Sequence, residues 1–299
     1  MFKKFNDFLG ETFTYQHIDL DLLNEGKLNE DVDNNIKFGV CTTTYKIGGD
    51  DGPAVAGRAG KMTTEKVLKD ALESLKGQTY KNWKLYLIGD GYPEDEWEQI
   101  ERLSKAIIPS EKLHIENMTP AGERGKWDGK IVHLTGGNTA ANKAIDAMKK
   151  DGIKYYAKLD HDDAYRNNHL QTHAQVYTQY PETALALTQA RKKRVKGDKG
   201  SYMYFPESTN YDPDYNNYTL GCGGQCHSGM TWDMSKVGYM KYRTWDKQKT
   251  TKPRRSECFP GDWDNTERIK RIVEDEGNKH KMVYAPKLTV KYRNSDGKF

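Results

Sequence analysis

Tyr155 to Tyr165 reads YYAKLDHDDAY, and its two halves differ sharply in character. Tyr155-Tyr156-Ala157-Lys158-Leu159 is short, aromatic and apolar, without Gly or Pro, and predicts a strand inside a sheet. It runs directly into Asp160, Asp162 and Asp163. Like charges packed at a strand end repel one another unless a cation or polar ligand takes up the field. Strand alternation predicts Asp160 and Asp162 on one side and His161 on the other. Two carboxylates so placed suit a hard ion, Mg2+ or Mn2+, that keeps coordination sites for water and phosphate. The alternative is a solvated acidic turn in which Asp163 caps a helix starting near Asn167 or Asn168.

Upstream of this stretch, strand and helix signals alternate. Ile36 to Thr43 (IKFGVCTT) predicts a first strand, and the hydroxyl-rich Thr42-Thr43-Thr44 and Tyr45 at its end suit a base or ribose in an open α/β sheet. After a Gly-rich loop over 46–61, Thr63 caps a predicted helix whose apolar face is Val67, Leu68, Ala71, Leu72 and Leu75, and Gly77 stops it. Trp83 to Ile88 predicts a strand that delivers Asp90, and a Glu-rich helix follows. Leu113 to Asn117 is a further strand candidate, trailed by the basic loop AGERGKWDGK. Gly136-Gly137-Asn138 then opens a helix with Ala140, Ala141, Ala144, Ile145 and Met148 on its inner face. This order is that of a mostly parallel α/β sheet with crossover helices.

Downstream, His169 to Tyr180 predicts a helix, Ala184 to Gln189 and Cys226 to Trp232 strands, Trp263 to Glu276 a helix, and Val283 to Tyr292 a last strand. The basic cluster Arg191 to Lys196 and the tyrosine-bearing run to residue 220 are read as a flap over a ligand, or else a solvated loop. Residues 1–35 are expected to be an N-terminal extension and linker, and 36–299 a single catalytic domain, with a ligand-binding half over 36–165 and an acceptor half over 166–299.

Composition narrows the class. The chain has 299 residues, 30% charged and 11% aromatic, the mix of a folded globular protein. A net charge of +4 is too small to make nucleic acid the expected main partner. Cys41, Cys222, Cys226 and Cys258 fit reduced thiols better than a disulfide framework, and Cys222, Cys226, His227 and Cys258, the one possible zinc set, match no common zinc spacing. No apolar run is long enough for a transmembrane span, and MFKKFNDFLGETF lacks a signal-peptide core; a cytoplasmic location is expected, with peripheral attachment to a membrane as the alternative.

Four segments, in order, resemble the inverting glycosyltransferases of family 2, which have the GT-A fold. SLKGQTYKNWKLYLIGDG (74–91) is similar to that family's helix, Q-T-Y turn and Asp-ended strand; GGNTAANKAID (136–146) to its glycine-led helix with a central Asn; YAKLDHDDAY (156–165) to its D-x-D-D strand; and GDWDNTERI (261–269) to the E-D-W-D-x-x-x-R segment that carries its catalytic base. The resemblance implies a nucleotide-sugar donor, a UDP-sugar by preference, bound with Mn2+ or Mg2+. It implies that Asp162 holds the metal, Asp160 lies near ribose and metal, Asp90 meets the base, Thr43 and Tyr45 flank the nucleotide, and Asp262 is the general base. Asp262 has a second reading, as the N-cap of its helix. Gly261 stands where the family usually has Glu, Ala141 where an Arg is frequent, and Asn294 and Ser295 where a His often completes the metal site. A glycan, a lipid-linked glycan, a protein or a modified nucleic-acid base all remain open as acceptors. The competing readings are a sugar-nucleotide nucleotidyltransferase and a non-catalytic sugar- or nucleotide-binding module.

Overall fold

The computed structural model describes residues 32–47, 63–125, 136–192, 226–244, 261–275 and 277–292. Its strands are β1 (Phe38–Thr44), β2 (Trp83–Asp90), β3 (Leu113–Met118), β4 (Tyr155–Lys158), β5 (Ala164–Tyr165), β6 (Thr183–Lys192), β7 (Met230–Asp233) and β8 (Lys281–Tyr292). Its helices are α1 (Thr64–Lys76), α2 (Glu94–Ile107), α3 (Asn138–Lys150), α4 (His169–Gln179), α5 (Met234–Val237) and α6 (Gly261–Glu274). They build one 8-stranded sheet in the order β3-β2-β1-β4-β7-β6-β8-β5. β3, β2, β1 and β4 are mutually parallel; β7 is antiparallel to β4 and β6, β8 is parallel to β6, and β5 is antiparallel to β8. The α/β architecture expected from the sequence is the one observed.

Period-2 strands explain why both faces of the sheet are covered. On β1 and β2, Phe38, Val40, Leu85 and Leu87 face one apolar layer with Leu68, Leu72 and Leu75 of α1, while Cys41, Tyr86 and Ile88 face the other with Ala140, Ala144, Ile145 and Met148 of α3. α1 begins and ends as its sequence dictates: Thr63 Oγ1 accepts from the Lys66 N–H at 3.3 Å, and the Gly77 N–H closes the last turn on Glu73 O. The Q-T-Y turn after it is a clamp. Gln78, fully buried, donates to Arg166 O at 2.7 Å and accepts the Leu170 N–H at 2.9 Å, and the Tyr80 hydroxyl donates to Ile36 O at 2.6 Å.

Several expectations shift. Residues 33–35, assigned to a linker, dock on the domain, with the Asp33 N–H donating to Thr178 Oγ1 at 2.9 Å. β8 begins earlier than expected and tolerates Pro286 because its register against β6 slips from Ala285 to Leu288, so no ladder N–H is required at the proline. Cys41 and Cys226 are buried free thiols, as expected. Residues 1–31, the Gly-rich loop from 48 to 62, the run from 193 to 225 with Cys222, the segment 245–260 with Cys258, and 293–299 lie outside the described residues, as do the side chains of Arg191 and Lys192. Among the described residues, no helix is long and apolar enough to cross a membrane.

Candidate functional site

The chain winds from β1 to β2 to β3 in one direction and then returns to place β4 on the other side of β1. Such a reversal opens a crevice beyond the carboxyl ends of β1 and β4, where open α/β sheets bind ligands. The sequence delivers polar groups to that edge. β1 ends in Thr43, Thr44 and Tyr45, β2 in Asp90, and β4 in Lys158 followed by Asp160.

On the β2 side, Asp90 is only 6% exposed. Its Oδ1 accepts the Gly122 N–H at 2.8 Å, and its Oδ2 faces Arg124 Nε at 3.5 Å without a hydrogen bond. Burial raises the Asp90 pKa, an effect the Gly122 N–H and the Arg124 charge only partly offset. The Arg124 guanidinium lies 3.3 Å from the centre of the Tyr45 ring, and Tyr45 also stacks on His161, centroids 4.6 Å apart. His161 Nδ1 is 3.1 Å from Thr44 Oγ1. Asp90, Arg124, Tyr45 and His161 therefore form one connected wall. Glu123, next to Arg124, is buried and accepts from the Thr139 N–H at 3.2 Å and the Thr139 hydroxyl at 2.7 Å, so a protein carboxylate already occupies the amino end of α3.

On the β4 side the structure corrects one expectation. The strand ends at Lys158, and residues 160–163 make a turn closed by the Asp163 N–H on Asp160 O at 3.0 Å, so strand alternation does not govern Asp160 and Asp162. Ser228 shapes this turn. It accepts the Asp160 N–H at 3.0 Å and donates to Asp163 Oδ2 at 2.7 Å, which makes the buried Asp163 a structural group rather than a helix cap. Asp162 is half-buried. Lys158, 2% exposed, donates to Thr43 Oγ1 at 3.1 Å and pairs with Asp160 Oδ1 at 3.4 Å. Burial pushes the Asp160 pKa up, but the Lys158 charge, with His227 and His161 beyond it, outweighs burial and holds the group below the usual carboxylate range. Among the described residues no three metal-ligating side chains converge. Mg2+ and Mn2+ sites take one or two carboxylates plus substrate oxygens, so the chemistry of Asp160 and Asp162 fits such an ion without a third protein ligand.

The third part of the site is the start of α6. Asp262 is the second residue of that helix and not its cap; its side chain lies outside the described residues. Gly261 is packed tightly: a Cβ there would sit 2.5 Å from Asn138 Oδ1 and 3.1 Å from Tyr242 Cδ1. Asp264, one turn from the helix start, is buried between Arg243 at 3.4 Å and Arg268 at 3.6 Å. The central Asn of the glycine-led helix has a structural use: Asn142 holds both the N–H and the C=O of Tyr242 at 2.8 Å, and Asn138 donates to Arg243 O at 3.0 Å. α3 thereby fixes the segment 240–244 on which α6 rests.

The structure thus brings Thr43, Tyr45, Asp90 and Asp160 to one edge, and carries the Asp262 backbone on a helix packed against Tyr242. Arg124 and Lys158 carry no sequence signal beyond a basic loop and a lysine in an apolar strand, and His227, a zinc candidate by sequence, lies beside Asp160 instead.

Comparison with known proteins agrees with this fold. A model described as glycosyl transferase family 2 matches residues 62–231, more than half of the 299 in the chain. An uncharacterized glycosyltransferase of Acanthamoeba polyphaga mimivirus is 34% identical over 129 residues, 42% of this chain and 50% of that protein. The match therefore spans half the length of that relative. The crystal structure of S. aureus TarS 1-349 superposes with a TM-score of 0.52 at 16% identity, covering 86% of this chain and 60% of that one. Its complex with UDP-GlcNAc gives 0.51 at 15% identity, covering 85% and 58%. At these identities the likeness concerns the fold.

Proposed function

Because the chain belongs to glycosyltransferase family 2, we propose that it is an inverting, metal-dependent glycosyltransferase that moves a sugar from a UDP-sugar to an acceptor hydroxyl. The observation that carries this reading is the pair of carboxylates flanking β1: Asp90, buried against Arg124, and Asp160, held by the buried Lys158. Asp90 Oδ2 is an acceptor and Arg124 Nε a donor, both buried and unbonded, so a small shift of Arg124 would present to the N3–H and carbonyl edge of uracil the pair it needs; Tyr45 and Thr43 flank the nucleotide. Lys158 fixes Asp160 Oδ1, leaving the half-exposed carboxylate with Oδ2 for the metal end of the donor. A divalent ion, Mn2+ or Mg2+, held by Asp160 and Asp162 would neutralise the charge that develops on the leaving diphosphate.

Asp262 acts as general base. The acceptor hydroxyl loses its proton to the Asp262 carboxylate as its oxygen bonds to the anomeric carbon, and the bond from that carbon to the diphosphate breaks on the opposite face. Inversion follows from this single displacement. The UDP-GlcNAc seen with TarS makes a UDP-N-acetylhexosamine the first donor to try.

The test is titration calorimetry with UDP and UDP-sugars, with Mn2+ and with chelator, alongside a transfer or donor-hydrolysis assay on wild type and Asp262→Asn. Turnover in the variant is expected to fall by about 100- to 10,000-fold with donor affinity and melting temperature retained. Near-normal turnover would refute the base, and equal UDP affinity with and without metal would refute the metal.

A further inference from the structure

Asp160 has a neighbour on its other oxygen. His227 opens the 3-10 turn before β7 and brings Nδ1 to 3.7 Å from Asp160 Oδ2. That gap is too long for a hydrogen bond. Neighbouring ligands of an octahedral ion at about 2.1 Å lie about 3.0 Å apart, so the two side chains need to close by less than about 1 Å to share an ion. Lys158 faces Oδ1 and does not compete for the same atom.

The imidazole is also held as a ligand needs to be. Its Nε2 is 2.6 Å from the Tyr242 hydroxyl, which is 3.2 Å from the Tyr156 hydroxyl, and both tyrosines are buried. The Asn142 side chain locks the Tyr242 backbone in turn. In the tautomer whose Nε2–H donates to Tyr242, the Nδ1 lone pair points at the Asp160 side. Fixing the remote N–H in this way is how proteins set the tautomer and orientation of metal-bound histidines.

Resting on the nucleotide-sugar reading above, we propose that His227 is a nitrogen ligand of the divalent ion, joining Asp160 on an ion that Asp162 reaches through a bound water, and that it biases the site toward Mn2+ over Mg2+. Mg2+ prefers oxygen, so an imidazole adds more affinity for a first-row transition ion.

Pulsed electron paramagnetic resonance of the full chain with Mn2+ and UDP tests this without an activity assay. Wild type should show echo modulation from a directly bound nitrogen that changes when histidine is labelled with 15N. The modulation should vanish in His227→Gln and survive in His161→Gln. In Tyr242→Phe it should also survive while Mn2+ affinity falls about tenfold, and in His227→Gln that affinity should fall about 100-fold, Mg2+ affinity much less. Absence of nitrogen modulation in wild type that still binds UDP in a Mn2+-dependent way would overturn the ligand and leave the function standing, whatever the variants do. Modulation that persists in a folded His227→Gln would do the same. Loss of all Mn2+-dependent UDP binding would overturn both.

Discussion

The crevice ends in an aspartate on each side of β1, and the two sides treat the same residue in opposite ways. Asp90 is shielded from water, and burial outweighs the Gly122 N–H and Arg124 in setting its pKa, which is raised. Burial is also the largest single influence on Asp160, but Lys158, His227 and His161 together outweigh it, and its pKa is lowered. The residue type does not decide what a carboxylate does, nor does the distance to the nearest cation, 3.5 Å for Asp90 and 3.4 Å for Asp160; the number of positive neighbours set against burial does. In the proposed function the Asp90 side accepts hydrogen bonds from a planar group and the Asp160 side holds negative charge for a positive partner.

The largest effect that would break this contrast is expected at Asp160. Asp160→Asn should cost the metal-dependent part of UDP affinity, about 100-fold or more, while binding of uridine, which has no phosphate, stays within about twofold. An equal loss for both, measured by calorimetry, would mean the two sides are not separate. Asp90→Asn is the reciprocal case. A hydrogen bond to a charged group contributes about 1.5 to 3 kcal/mol, so the preference for UDP over CDP should fall by about 10- to 100-fold with the Mn2+ requirement unchanged.

The smallest effect is on stability, and the two variants should differ in sign. A carboxyl whose folded pKa lies above its unfolded value disfavours folding once ionised, so Asp90→Asn should raise the melting temperature slightly at neutral pH. The gain should shrink as pH falls through the raised pKa, because wild-type Asp90 then becomes neutral too. Asp160→Asn removes the charged partner of a buried lysine and should destabilise by roughly 1 to 3 kcal/mol, less than for a wholly buried pair because Asp160 is partly exposed. Thermal melts from acid to neutral pH would decide both signs.

Legibility from sequence followed the length scale of the interaction. β1, α1 and β2 were readable because period 2, period 3.6 and a Thr cap are local signals, and Asp90 and Asp160 were readable because strand ends are. The turn at residues 160–163 was misread because its form depends on Ser228, far along the chain. Gln78 and Asn142 were recognised as parts of motifs, but that each clamps a remote backbone could not be seen without the fold. Arg124, Lys158 and the place of His227 beside Asp160 escaped for the same reason. A lone basic residue in a loop or strand acquires meaning only when Asp90 or Asp160 is placed beside it.

Gly261 also ties two positions together. The space a side chain at 261 would enter is filled by the amide of Asn138 and the ring of Tyr242. A side chain there must push aside the Asn138 amide, whose Nδ2 donates to Arg243 O. Substitutions at 138 and 261 are therefore expected to be non-additive: a side chain at 261 should cost less stability once Asn138 has been replaced by a smaller residue, a coupling that a double-mutant cycle of unfolding free energies would measure.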